Sequence, residues 1–154
     1  MTIRELIPEL EQMVAEGEEL DVILETAVRK LHETSSRFDW TGIYELFPDG
    51  VLRLGPFVGA PTEHVFIGVG NGVCGTAVAQ KRNINVPDVR DVDNYLACST
   101  ETRSELVVLI RDEDQIYAQI DIDSHQVAAF DDGVVKQIEQ LAETLARAYA
   151  ERRA

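Results

Sequence analysis

Leu106-Val107-Val108-Leu109-Ile110-Arg111-Asp112-Glu113-Asp114-Gln115-Ile116-Tyr117-Ala118-Gln119-Ile120-Asp121-Ile122-Asp123 is the stretch on which the fold turns. An apolar run at 106–110 and a second run at 115–122 flank the polar segment Arg111-Asp112-Glu113-Asp114. Runs of this length bounded by turn residues form strands, and the short polar connection makes the pair a hairpin. Alternation along a strand places Ala118, Ile120 and Ile122 on one face and Gln119, Asp121 and Asp123 on the other. One face is ready for a core, and the opposite face carries two carboxylates.

Upstream, residues 40–47 and 51–58 are rich in aromatic and β-branched side chains around Pro48-Asp49-Gly50, which predicts another hairpin. Residues 84–86 add a short strand closed by Pro87. Both ends of the chain read as helices. Leu20, Ile23, Leu24, Ala27, Val28 and Leu31 recur at helical steps, as do Val134, Ile138, Leu141, Ala142 and Leu145 after a cap at Asp131 or Asp132. A first helix opens with Thr2 and Glu5 at capping-box spacing and carries Leu6, Leu10, Met13 and Val14. Pro8 is expected to delay or kink its start, and Gly17 to end it. Residues 68–75 read as a glycine-rich loop leading into a short helix at 77–79, and residues 88–104 as one long polar loop, long enough to be functional. This order predicts an α+β fold with residues 1–154 in one domain. The expected architecture is a central, mainly antiparallel sheet with N- and C-terminal helices on one face and active-site loops on the other.

Composition narrows the function. The chain has 28 acidic and 14 basic residues, a net charge of −14, which repels phosphate backbones and anionic membranes. Neither nucleic acid nor membrane is an expected partner. The apolar runs are strand-sized, far below the roughly 20 residues of a membrane span. The start Met1-Thr2-Ile3-Arg4-Glu5 has no basic region followed by an apolar stretch, so a cytoplasmic chain is expected. In that compartment two cysteines read as reactive or buried rather than as a structural disulfide.

Cys98 lies in the long polar loop, where a thiol has little packing reason to be. Cys74, in Gly72-Val73-Cys74-Gly75, stands at the start of the short helix, where it is either an activated thiol or a packing residue. Asp121 and Asp123 either receive an ammonium group, share a proton, or form a solvated strand end. Glu105 opens an apolar strand and either joins the same cleft or acts as a cap or ion-pair partner. Trp40 and Tyr44 share a strand face, which by itself is core packing. His32, His64 and His125 are scattered, there is no metal-binding motif, and the glycine-rich segment lacks the lysine of a phosphate loop. No cofactor is expected.

Asp39-Trp40-Thr41-Gly42-Ile43-Tyr44, Leu54-Gly55-Pro56-Phe57, Gly70-Asn71-Gly72-Val73-Cys74-Gly75-Thr76-Ala77, Ala97-Cys98, Ser104-Glu105 and Asp121-Ile122-Asp123-Ser124 together resemble the free methionine-(R)-sulfoxide reductases, which are single-domain GAF proteins. The resemblance implies that Cys98 is the nucleophile that attacks the sulfoxide sulfur, releases methionine and becomes a sulfenic acid. It implies that Glu105, Asp121 and Asp123 hold the substrate amino group and assist protonation of the oxygen, and that Trp40 and Tyr44 line the pocket around the methyl-sulfur end. Cys74 corresponds to a further family cysteine near the site. Thioredoxin or another thiol is the implied reductant, and a homodimer the implied assembly. The family's usual resolving cysteine is replaced here by His64, so either Cys74 regenerates Cys98, or an external thiol does, or turnover has been lost. Arg103 and Leu109 stand where the family commonly has asparagine and proline. Two other readings belong to the same fold: a non-catalytic GAF sensor or binding module, and a redox sensor built on a Cys74–Cys98 pair.

Overall fold

The computed structural model describes every residue except 94, 96–99, 114 and 154, so Cys98 lies outside the described residues. Helices α1 (Ile3–Ala15) and α2 (Leu20–Glu33) lead into strands β1 (Trp40–Leu46), β2 (Val51–Val58) and β3 (Phe66–Gly68). Helix α3 (Gly72–Gln80), strand β4 (Ile84–Val86) and a single 3₁₀ turn (Val89–Asp91) follow. Strands β5 (Ser104–Asp112) and β6 (Gln115–Ser124) then precede helix α4 (Asp132–Arg153). The strands form one six-stranded sheet in the order β3-β2-β1-β6-β5-β4, and every adjacent pair is antiparallel.

Residue parity explains the layers. Ile43 of β1, Leu106, Val108 and Ile110 of β5, and Ala118, Ile120 and Ile122 of β6 pack against α1, α2 and α4. The apolar stripes of those helices, including Leu6, Leu10, Ile23, Leu24, Leu31, Ile138, Leu141 and Leu145, complete this core at 1% exposure or less. The opposite face buries a second, smaller cluster: Trp40, Tyr44, Leu52, Val107 and Leu109 beneath Val73, Cys74, Ala77 and Val78 of α3. The α+β architecture therefore has three helices on one face and α3 on the other.

The helix ends follow their local chemistry. Thr2 and Glu5 form the reciprocal capping box, at 3.2 and 3.4 Å. Gly17, at φ +77°, closes α1 with two backward hydrogen bonds, Gly17 to Val14 and Glu18 to Met13. Pro8 does not delay α1; the helix starts at Ile3 and runs through the proline, because tertiary packing of Leu6 and Leu10 outweighs one missing donor. The Asp131 carboxylate accepts from the Val134 amide at 2.8 Å, which makes Asp131 the cap of α4.

Other boundaries differ from the sequence pattern. Residues 66–68 are strand β3, and α3 begins at Gly72 inside the glycine-rich run. Strands β5 and β6 extend to Ser104, Asp112 and Ser124, so Arg111 and Asp112 belong to the hairpin's strand. A register shift beside Ile110 and Arg111 puts Tyr117 on the same face as Ala118, where its ring stacks on Tyr149 at 5.5 Å. Among the described residues no helix is long and apolar enough to cross a membrane.

Candidate active site

The antiparallel register lays the site out in rows on the α3 face. Trp40, Asp123 and Glu105 form one row across β1, β6 and β5. Gly42, Asp121 and Val107 form the next, and Tyr44, Gln119 and Leu109 the third. Glu105, Asp121 and Asp123 are 3, 1 and 1% exposed. The acids expected at a strand end are thus buried, because α3 and the β2–β3 connection cover them.

Helix α3 supplies the roof. Cys74 is its third residue, 4% exposed, with Sγ 3.9 Å from Glu105 Oε2. Gln119 Nε2 donates to the Cys74 carbonyl at 3.1 Å, tying the helix to the floor. Gly72, at φ +63°, turns the chain into the helix. Gly75 permits the close approach of the preceding loop, since a Cβ there would lie 2.5 Å from the Gly68 carbonyl oxygen.

The aromatic pair builds the side wall. Trp40 stacks on Phe57 at 5.6 Å and on Tyr44 at 6.2 Å. Its indole N–H donates to the Ala60 carbonyl at 3.0 Å, and the Tyr44 hydroxyl donates to the His64 carbonyl at 2.7 Å. Both residues therefore pin the β2–β3 connection by its backbone. Glycine at 42 is required beneath the indole, because a Cβ would fall 2.4 Å from Trp40 Cη2. Tyr44, Cys74, Glu105, Asp121 and His64 line a common cavity of about 10 Å³, roughly one water's space. Trp40 and Asp123 share a row with Glu105 but are not among the described residues of that lining.

Acidic groups are concentrated here, and among the described residues the lining holds no lysine or arginine. Burial pushes the Glu105 carboxyl well above the usual carboxylate range, and the neighbouring Asp121 and Asp123 push it further. Burial raises Asp121 as well, opposed by hydrogen bonds from Glu105 and Cys74. For Glu105 and Asp121 the direction is thus toward the protonated form, set by burial in both. The Cys74 thiol is driven upward by burial and by the three carboxylates, so it is held as a thiol. A buried acidic group of this kind can receive an ammonium group and can donate a proton to a developing oxygen anion. Cys74 Sγ, a Glu105 oxygen and an Asp121 oxygen also lie within 4.8 Å of one another, a spacing that suits a metal ion.

Two residues enter the site that sequence reasoning did not place there. Tyr95 packs at the edge of the second core cluster, and its hydroxyl is shifted upward by burial and by Asp123 and Glu105. Its position beside Cys98 in the polar loop was the available signal. Gln119 shares the carboxylates' parity, but its tie to Cys74 spans 45 positions and has no local signature. Arg103 donates to the carbonyls of Thr100 and Thr102, bracing the end of the polar loop.

The comparisons with known proteins agree with this geometry. The GAF domain model matches residues 16–150. Protein YtsP of Bacillus subtilis is 35% identical over 147 residues, 95% of this chain and 90% of that protein. The free methionine-R-sulfoxide reductase of Escherichia coli is 38% identical over 120 residues, 78% of this chain and 72% of that protein. The free methionine-R-sulfoxide reductase from Neisseria meningitidis, solved in complex with its substrate, superposes with a TM-score of 0.90 at 30% identity, covering 98% of this chain and 90% of the other. With the fold, the motif order and these relatives in agreement, the chain belongs to the GAF domain family and, within it, to the free methionine-R-sulfoxide reductase family.

Proposed function

We propose that this protein reduces free methionine-(R)-sulfoxide to methionine with Cys98 as the nucleophile. The observation that carries the reading is the buried trio Glu105, Asp121 and Asp123 on one sheet face, in a chain of this family. In this scheme the Cys98 thiolate attacks the sulfoxide sulfur while a carboxyl proton passes to the oxygen. The oxygen then moves to Cys98, leaving methionine and a sulfenic acid. The sulfide is the reduced product and Cys98 the oxidised group. Asp121 and Asp123 hold the substrate ammonium, and Tyr44 and Trp40 face the methyl-sulfur end.

Regeneration falls to an external thiol. The Cys74 thiol is held protonated by burial and three carboxylates, and a thiol so held attacks slowly. His64, which lines the cavity, cannot form a disulfide. One external thiol displaces water from the sulfenic acid to give a mixed disulfide, and a second thiol, as in thioredoxin, restores Cys98. Reduced protein, racemic free methionine sulfoxide and dithiothreitol or a thioredoxin system test the scheme. Consumption of half the racemate, abolished by Cys98→Ser, is expected. Binding without methionine release, with Cys98 verified as reduced, would instead identify a sensor module.

A further inference from the structure

We propose that Cys74, Glu105 and Asp121 form a binding site for a single divalent transition-metal ion, zinc by preference. One sulfur and two carboxylate oxygens from α3, β5 and β6 lie within 4.8 Å of one another. Ligand atoms about 2.3 and 2.0 Å from a tetrahedral zinc ion stand about 3.5 Å apart. The Cys74 Sγ–Glu105 Oε2 separation of 3.9 Å needs only a small contraction. Each of the three residues is at least nine-tenths buried. Glu105 Oε1 and Asp121 Oδ1 have no hydrogen-bond partner among the described residues and belong to side chains lining the same cavity. That cavity, about 10 Å³, is the size of an ion or a water.

The donor set selects the kind of metal. A thiolate with two carboxylates suits zinc or another borderline transition metal, whereas magnesium seeks near-octahedral oxygen ligands and keeps its waters. Binding converts the Cys74 S–H to a metal-bound thiolate and the Glu105 and Asp121 carboxyls to bound carboxylates, releasing the protons they hold to solvent with no change of oxidation state. A bound cation also stabilises the ionised carboxylates that burial disfavours, in a lining with no lysine or arginine among the described residues. Metal binding stands independently of the reductase reading. Only the further consequence, that the ion and a substrate ammonium exclude each other at Glu105 and Asp121, rests on it.

The test is cobalt(II) titration of the full chain in the Cys98→Ser background, where Cys74 is the remaining cysteine. The expected result is a sulfur-to-cobalt charge-transfer band, saturating at one equivalent and erased by zinc but not by excess magnesium. Glu105→Gln in that background should weaken cobalt binding at least about tenfold, in line with losses seen on perturbing metal sites. A second variant, Cys74→Ser with Cys98 intact, should lose the band and should melt cooperatively, which separates lost ligation from lost folding. No band in the folded Cys98→Ser protein, or a band that survives Cys74→Ser, would overturn the proposal. Failure of the methionine sulfoxide assay with the band present would leave the metal site standing and overturn the reductase reading alone.

Discussion

At the residue scale, Glu105 illustrates how a buried acid opposes the fold that holds it. Its carboxyl titrates above its ordinary 4.5 because it is buried beside Asp121 and Asp123. Between that ordinary value and the raised one, the folded protein binds a proton that the unfolded chain has lost, so stability falls as pH rises. Glu105→Gln should therefore raise the Tm at pH 7.5, by the few degrees that about 1 kcal/mol yields in a domain this size. The gain should vanish near pH 4, where both states are protonated, and thermal melts at the two pH values check it. Gly75→Ala should act in the opposite direction. A Cβ 2.5 Å from the Gly68 carbonyl and 2.9 Å from the Gly70 amide meets backbone on both sides. A loss of about 1–3 kcal/mol in urea unfolding is expected, as for other overpacked positions. The carboxylates were legible because strand parity is a local rule: Asp121 and Asp123 share a face whatever the rest of the chain does. Burial was not legible, since it depends on α3 and the β2–β3 connection folding over them. The Cys74–Glu105 contact spans 31 positions and exists only through the tertiary fold.

At the scale of elements, α1 carries a correctable flaw. Pro8 is exposed and sits inside the helix, where it cannot donate to the Arg4 carbonyl. Pro8→Ala should stabilise the protein by about 1 kcal/mol or more, bounded by the propensity difference of about 3 kcal/mol. Thr2→Ala should cost about 1 kcal/mol through loss of the reciprocal cap. Chemical denaturation of each variant against the parent protein measures both. The long helices and the β5–β6 hairpin were readable because each repeats its period several times. Strand β3 was not, because three residues hold too little alternation to stand out from glycine-rich surroundings. The start of α3 was hidden for a related reason: Gly72 and Gly75 weaken helix propensity but serve the turn and the close approach of residues 68–70. Packing against the sheet overrides that weakness.

At the scale of the whole molecule, the charge of −14 is a standing load on the folded state. Ion pairs such as Arg90–Asp88 and Arg53–Asp49 are partly exposed and local, and offset little of it. Raising ionic strength from about 0.01 to about 0.1 M shortens the screening length from about 30 to about 10 Å, so the Tm should climb with salt. A Tm unchanged across a sodium chloride series would show that the surface charge is already balanced. The α+β class and the two-faced sheet followed from patterning, while the assignment of faces to helices required the sheet order. One detail of the aromatic wall has a use of its own. Trp40 is the protein's sole tryptophan, nearly sealed from solvent, stacked between Tyr44 and Phe57 and bonded to the Ala60 carbonyl. Its intrinsic fluorescence is therefore a built-in optical gauge of the pocket wall. A red shift in its emission would report release of the β2–β3 connection as a guest molecule enters, with no dye attached.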